Sequence, residues 1–123
     1  EEIGLPPETM RRLSAGLGGG VGGLRETCGV VTGMAQVLGM LEGSANPTDQ
    51  AAKKALYARV QKVGQAFEEQ CGSLSCRELL KLAKDAKPAA PLARNAEYYK
   101  ARPCIRYVGA MAELLERALM EKA

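Results

Sequence analysis

A chain of 123 residues is one domain by length, and its net charge of +3, from 17 basic and 14 acidic side chains spread along the chain, argues against a nucleic-acid partner. With one Phe, four Tyr and no Trp, the core must be built from Leu, Val, Ala and Met, which suits packed helices better than a sheet. Histidine is absent, which excludes within this chain a Ser-His-Asp or Cys-His nucleophile, a His-ligated haem or zinc, and a two-His-one-carboxylate iron site.

Leu5-Pro6-Pro7-Glu8-Thr9 starts a first helix, because proline suits the first turn and Glu8 suits the N-terminal dipole. Met10, Leu13 and Leu17 share one face of it. A glycine loop, Gly16 to Gly23, ends it. A second helix is expected from about Glu26 to Leu41. Its small residues Gly29, Gly33, Ala35 and Gly39 recur near a four-residue spacing, which would let another helix pack closely. Gly43 to Pro47 is a polar turn. Asn46 or Thr48 caps a third helix reaching about Cys71, with Ala52, Leu56, Val60, Val63 and Phe67 as its apolar stripe. Gly72 ends that helix. Ser75-Cys76-Arg77-Glu78 matches a capping box and opens a short fourth helix to about Lys84. Lys87 to Ala93 is a Pro/Ala linker. The last helix runs from near Arg102-Pro103-Cys104 to about Glu121, with Ile105, Val108, Met111, Ala112 and Leu115 as its buried face. Tyr98, Tyr99 and Tyr107 are read as covering it. No repeat and no strand is apparent.

The longest apolar stretch, Val30 to Leu41, is interrupted and falls short of the roughly 20 residues that a membrane span needs. No secretory signal is recognisable. Four cysteines in such a chain favour reduced thiols in the cytoplasm over a disulfide scaffold.

The most informative feature is Cys28, in Thr27-Cys28-Gly29-Val30-Val31-Thr32-Gly33. A thiol at a helix start feels the positive end of the dipole and the free N–H groups there, and so ionises more readily than one in water. Cys76 and Cys104 also fall where helices are expected to start. The set points to sulfur chemistry or metal binding. The alternative is that each is a small buried apolar residue, as most free cysteines are. Cys71 and Cys76, spaced C-x₄-C around a glycine corner, are candidates for a disulfide. Their spacing is neither that of redoxins nor that of zinc ribbons. Gly18, Gly20 and Gly23 satisfy G-x-G-x-x-G, but a helix rather than a strand precedes them, so the dinucleotide fingerprint is discounted. Gly18, Gly19, Gly20, Gly22 and Gly29 are read instead as bringing backbone N–H groups up to Cys28 or to its ligand.

At these residues the chain resembles the C-GCAxxG-C-C family of putative redox-active proteins. The matching pieces are Gly18-Gly19-Gly20-Val21-Gly22, Cys28-Gly29-Val30-Val31-Thr32-Gly33, Gly72-Ser73-Leu74-Ser75-Cys76-Arg77-Glu78-Leu79-Leu80 and Cys104-Ile105-Arg106-Tyr107-Val108. The resemblance implies that Cys28, Cys76 and Cys104 correspond to the last three cysteines of the family pattern. It also implies that the first lies in an N-terminal part without counterpart here, with Cys71 as its substitute or incidental.

The expected protein is a single all-α domain over residues 1–123, a compact bundle of about five helices with the glycine loop between the first two. Its working groups would be Cys28, Cys76 and Cys104. As a thiol-based oxidoreductase, one thiolate attacks and a second cysteine resolves it as a disulfide, serving an unidentified redox partner. As a metal protein, the thiolates hold a soft metal or an iron–sulfur cluster, with Cys71 or an outside group as a fourth ligand. The contrasting reading is a non-enzymatic helical interaction module or homodimer with structural cysteines. Geometry separates them: convergence of the three thiols on one cleft favours chemistry, and dispersal into separate apolar pockets favours packing.

Overall fold

The computed structural model describes residues 3–88 and 90–122, without the side chains of Tyr99, Ala101 and Lys122. Among the described residues there are six α-helices and no strand. They are α1 (Pro7–Ser14), α2 (Gly29–Glu42), α3 (Gln50–Cys71), α4 (Cys76–Leu79), α5 (Ala96–Ala101) and α6 (Cys104–Lys122), with one 3-10 turn at Ala15–Leu17. None is long and apolar enough to cross a membrane.

Three helices make the core. Met34 and Leu38 of α2, Val63 and Phe67 of α3, and Met111 and Ala118 of α6 are buried together, and Leu79 of α4 closes one end. Phe67, the one phenylalanine, is fully buried and meets Tyr107 edge-to-face, with ring centroids 6.1 Å apart. The Tyr107 hydroxyl donates to the Leu79 carbonyl at 3.3 Å, which ties α6 to α4. At the other end Arg59 of α3 donates from Nε to Glu42 of α2 at 3.0 Å and from Nη2 to the Ala118 carbonyl of α6 at 2.8 Å. One guanidinium thus joins the three core helices.

The helix boundaries show which local signals won. Proline in the first turn and Glu8 open α1 as expected, but the helix buries no residue and Leu13 is 62% exposed. Asp49, not Asn46 or Thr48, caps α3, accepting from the Ala52 N–H at 3.0 Å. Asn46 spends its side chain on the preceding turn, accepting from the Thr48 N–H and hydroxyl. Gly72, at φ +105°, ends α3. The capping box is half made: Ser75 Oγ accepts from the Glu78 N–H, while the Glu78 carboxylate bonds the Ser73 hydroxyl, which in turn accepts from the Ser75 N–H. The fourth helix stops at Leu79 rather than near Lys84, where the chain turns through a left-handed Lys81, φ +56°. A further helix, α5, follows the Pro/Ala stretch; Asn95 Oδ1 caps it by accepting from the Tyr98 N–H at 3.0 Å.

The expected buried face of α6 is only partly buried. Met111 is in the core, whereas Ile105 is 63% and Val108 55% exposed, and Ala112 is exposed as well. The small residues of α2 do not seat another helix either. A Cβ at Gly33 or Gly39 would meet nothing, and one at Gly29 would meet the Leu17 carbonyl oxygen at 3.1 Å.

The second helix begins at Gly29 because residues 26–28 are engaged elsewhere. Thr27 forms an antiparallel bridge with Ser75; Cys28 N–H donates to the Leu74 carbonyl at 2.8 Å and Cys76 N–H to the Glu26 carbonyl at 2.7 Å. The glycine loop wraps this bridge. Gly20 sits at φ +70°, and a Cβ there would lie 2.6 Å from the Cys76 Cβ and 2.6 Å from the Glu26 nitrogen. Gly20→Val should therefore destabilise the fold by about 3 kcal/mol or more, from backbone strain plus overlap. Gly18→Ala, which meets open space, should stay near wild type. Urea unfolding of the two variants checks the pair, and equal midpoints would show that the loop tolerates side chains.

Candidate functional site

Cys28, Cys76 and Cys104 come from three distant segments and line one open cavity of about 700 Å³ between the glycine loop, α2 and α6. The bridge supplies two of them, since Cys28 and Cys76 lie on opposite chains of it, each one residue from the paired Thr27 and Ser75. Cys104 is the first residue of α6, directly after Pro103. Cys28 is the residue preceding α2 rather than a member of its first turn, and Cys76 opens a helix of four residues. All four cysteines are free thiols. Cys71, the last residue of α3, packs against the core and does not line the cavity.

The electrostatics differ from a simple helix-dipole picture. Burial pushes the Cys28 thiol above the ordinary thiol range. The N–H groups of Val30 and Val31 pull the other way, without closing a capping hydrogen bond, and the neighbouring Cys76 and Cys104 sulfurs disfavour a second negative charge. Desolvation wins, so Cys28 is not the readily ionised thiol that its place in the sequence implied. Burial likewise raises Cys71.

The cation on the Cys76 sulfur is Arg25, which no motif in the sequence marks. It is 7% exposed, and its Nη1 donates to Cys76 Sγ at 3.7 Å. Arg25 holds φ +64°, a left-handed conformation that non-glycine residues adopt rarely. The only signal in the sequence was its position three residues before Cys28. Gly19, at φ +64°, lets the loop fold against itself, for a Cβ there would lie 2.9 Å from the Gly23 Cα.

The glycines divide. Gly18, Gly19, Gly20 and Gly29 line the cavity, while Gly22 does not; its N–H donates to the Gly16 carbonyl at 2.8 Å. Several of the loop N–H groups are taken up within the loop itself. Those of Gly23, Arg25 and Glu26 donate to the carbonyls of Gly18, Gly19 and Gly20. The expected metal site is not assembled: among the described residues no three Cys, Asp or Glu side chains lie close enough to hold an ion.

Because a raised pKa favours the protonated thiol in the fold, Cys28 lends stability that is present at neutral pH and lost as pH climbs through its folded value. Site-resolved alkylation with iodoacetamide should show Cys28 reacting with a midpoint pH above that of the same residue in the urea-unfolded chain. A midpoint at or below the unfolded value would mean that the backbone N–H groups outweigh burial.

Neither the curated proteins nor the solved structures yielded a match to the chain. A family model does match, over residues 1–118, that of the putative redox-active proteins with the C_GCAxxG_C_C pattern. Spanning nearly the whole chain, this match shows the protein to be a member of the C_GCAxxG_C_C family.

Proposed function

We propose that the protein is a thiol–disulfide oxidoreductase whose working groups are Cys28, Cys76 and Cys104. The observation that carries this reading is their meeting on one open cavity from three separate segments, with Cys71 left outside it. Cysteines serving only as core filler would have no reason to share a solvent-reaching wall.

The exchange runs in two steps. The Cys76 sulfur attacks a disulfide RS–SR, forming a protein–S–SR bond and releasing one RSH. Cys28 or Cys104 then attacks the protein sulfur of that mixed disulfide, closing an intramolecular disulfide and releasing the second RSH. The protein loses two electrons and two protons, and the substrate gains both. Negative charge is shared among the sulfurs in each transition state. Arg25, donating to Cys76 Sγ, is placed to stabilise that charge in surroundings poor in water. Gly20 lets the loop close upon the Cys76 Cβ, which keeps Arg25 and the sulfur in register. Such a cycle belongs in a reducing compartment, the cytoplasm. Holding a metal would require the thiols to move into a ligand cluster that the present arrangement lacks.

Treating the reduced protein with oxidised dithiothreitol and mapping peptides by mass spectrometry tests the reading. One reversible disulfide within the set Cys28, Cys76 and Cys104, with Cys71 unpaired, is expected. No intramolecular disulfide, or pairing through Cys71, overturns it. Arg25→Gln should slow disulfide formation about tenfold, roughly 1.4 kcal/mol of transition-state stabilisation. An unchanged rate in the folded variant would remove Arg25 from the mechanism.

A further inference from the structure

A second cavity, of about 670 Å³, adjoins the thiol cavity, and the two share Arg102 and Ile105 in their walls. Its lining carries Lys81, Lys100, Arg102 and Arg106, and the thiol cavity adds Arg94. No Asp or Glu lines either one. This is a strong local bias in a chain with 14 acidic residues against 17 basic ones. Among the described residues none of the five cations forms an ion pair. Two are held in place by an aromatic ring: the guanidinium carbons of Arg94 and Arg102 lie 5.9 and 5.2 Å from the centroid of the Tyr98 ring. The thiol cavity also has apolar lining, from Ile105 and Val108 of α6 and from Val30 and Val37 of α2.

Such walls fit a ligand with acidic ends and an aliphatic middle. We infer that the joined cavities bind a small dicarboxylate disulfide, its S–S bond reaching the three cysteines and its carboxylates resting on the cations around Arg102. The inference rests on the thiol reading and names its substrate class. Either cavity has the size of an ordinary small-molecule site, a few hundred Å³. The balance is that of the exchange already given: the disulfide takes two electrons and two protons, leaving as two carboxylate thiols, and the protein keeps one new disulfide. Arginine suits the carboxylate ends because its planar fork matches them.

The test compares the reduced full chain reacting with 3,3′-dithiodipropionate, neutral 2-hydroxyethyl disulfide and cationic cystamine. Each rate is divided by that of the urea-unfolded chain, to remove intrinsic reactivity. At low salt the dicarboxylate should lead the neutral disulfide by about tenfold and cystamine should trail it, with the gap closing at about 1 M salt, where screening is nearly complete. Arg102→Gln and, separately, the exposed Lys100→Gln should lower the ratio of anionic to neutral rates, while Lys54→Gln on α3 should not. In parallel, calorimetry with the unreactive thioether 3,3′-thiodipropionate reads binding without any sulfur exchange. Equal normalised rates for the three disulfides, or a preference untouched by both substitutions, overturn the inference while leaving the thiol reading standing. Salt-sensitive, Arg102-dependent binding of the thioether by a chain that forms no disulfide would sink the thiol reading and keep the anion site.

Discussion

Two backbone hydrogen bonds, Cys28 N–H to Leu74 and Cys76 N–H to Glu26, hold the site together. They join two segments nearly fifty residues apart and carry one sulfur on each side. Everything near the sulfurs follows from that pairing. The second helix cannot begin before Gly29, because residues 26–28 are extended. The preceding loop has to return upon the bridge, and it does so with the carbonyls of Gly16 to Val21 accepting from the N–H groups of Val21 to Glu26. A side chain at position 20 would occupy the space of the Cys76 Cβ. At Gly20, therefore, the missing side chain lets backbone lie against cysteine.

This arrangement changes the source of the electrostatics. A helix start was expected to activate each thiol. Yet Cys28 lies before its helix and is half-buried, and Cys76 begins a helix of four residues, too short to sum a useful dipole. Losing water costs the Cys28 anion more than two nearby N–H groups return. The charge opposite sulfur comes instead from Arg25, a full cation delivered through a left-handed backbone conformation. A buried guanidinium beside one thiol and a protonated thiol nearby give the three sulfurs unlike surroundings, which a stepwise exchange requires and a symmetric metal cage does not.

Much of this was legible in the residues, and the rest failed for identifiable reasons. The apolar stripe of α3 marked Val63 and Phe67 as core, and Gly72 marked its end, because both signals act within one helix. The three cysteines carried the family pattern in their spacing, and the chain does match that family over residues 1–118. Arg25 was not legible, since its role depends on a positive φ and on a partner 51 residues away. The stripe of α6 misled for a different reason. Periodicity says which residues share a face but not what lies against them, and the Ile105–Val108–Ala112 part faces a cavity instead of the core. The six-residue α5 followed a proline-rich stretch and was too short for periodicity to register; a single asparagine cap starts it.

The two uses of α6 explain how a small domain can leave a wide cavity open. Its Met111 and Ala118 complete a core with α2 and α3, and Arg59 ties the far ends of those three helices with one ion pair and one carbonyl hydrogen bond. Stability is concentrated in that half. The elements around the sulfurs add less: α1 buries nothing, and Ile105 and Val108 stay mostly exposed. Apolar surface left in solvent is a standing cost in a chain this size. That cost is offset when something apolar enters the cavity, so the wall that weakens the empty fold is also the one that would hold an aliphatic ligand. Four of the five basic residues, Lys81, Arg94, Lys100 and Arg106, are exposed to water, and no carboxylate lines either cavity to compete for a ligand.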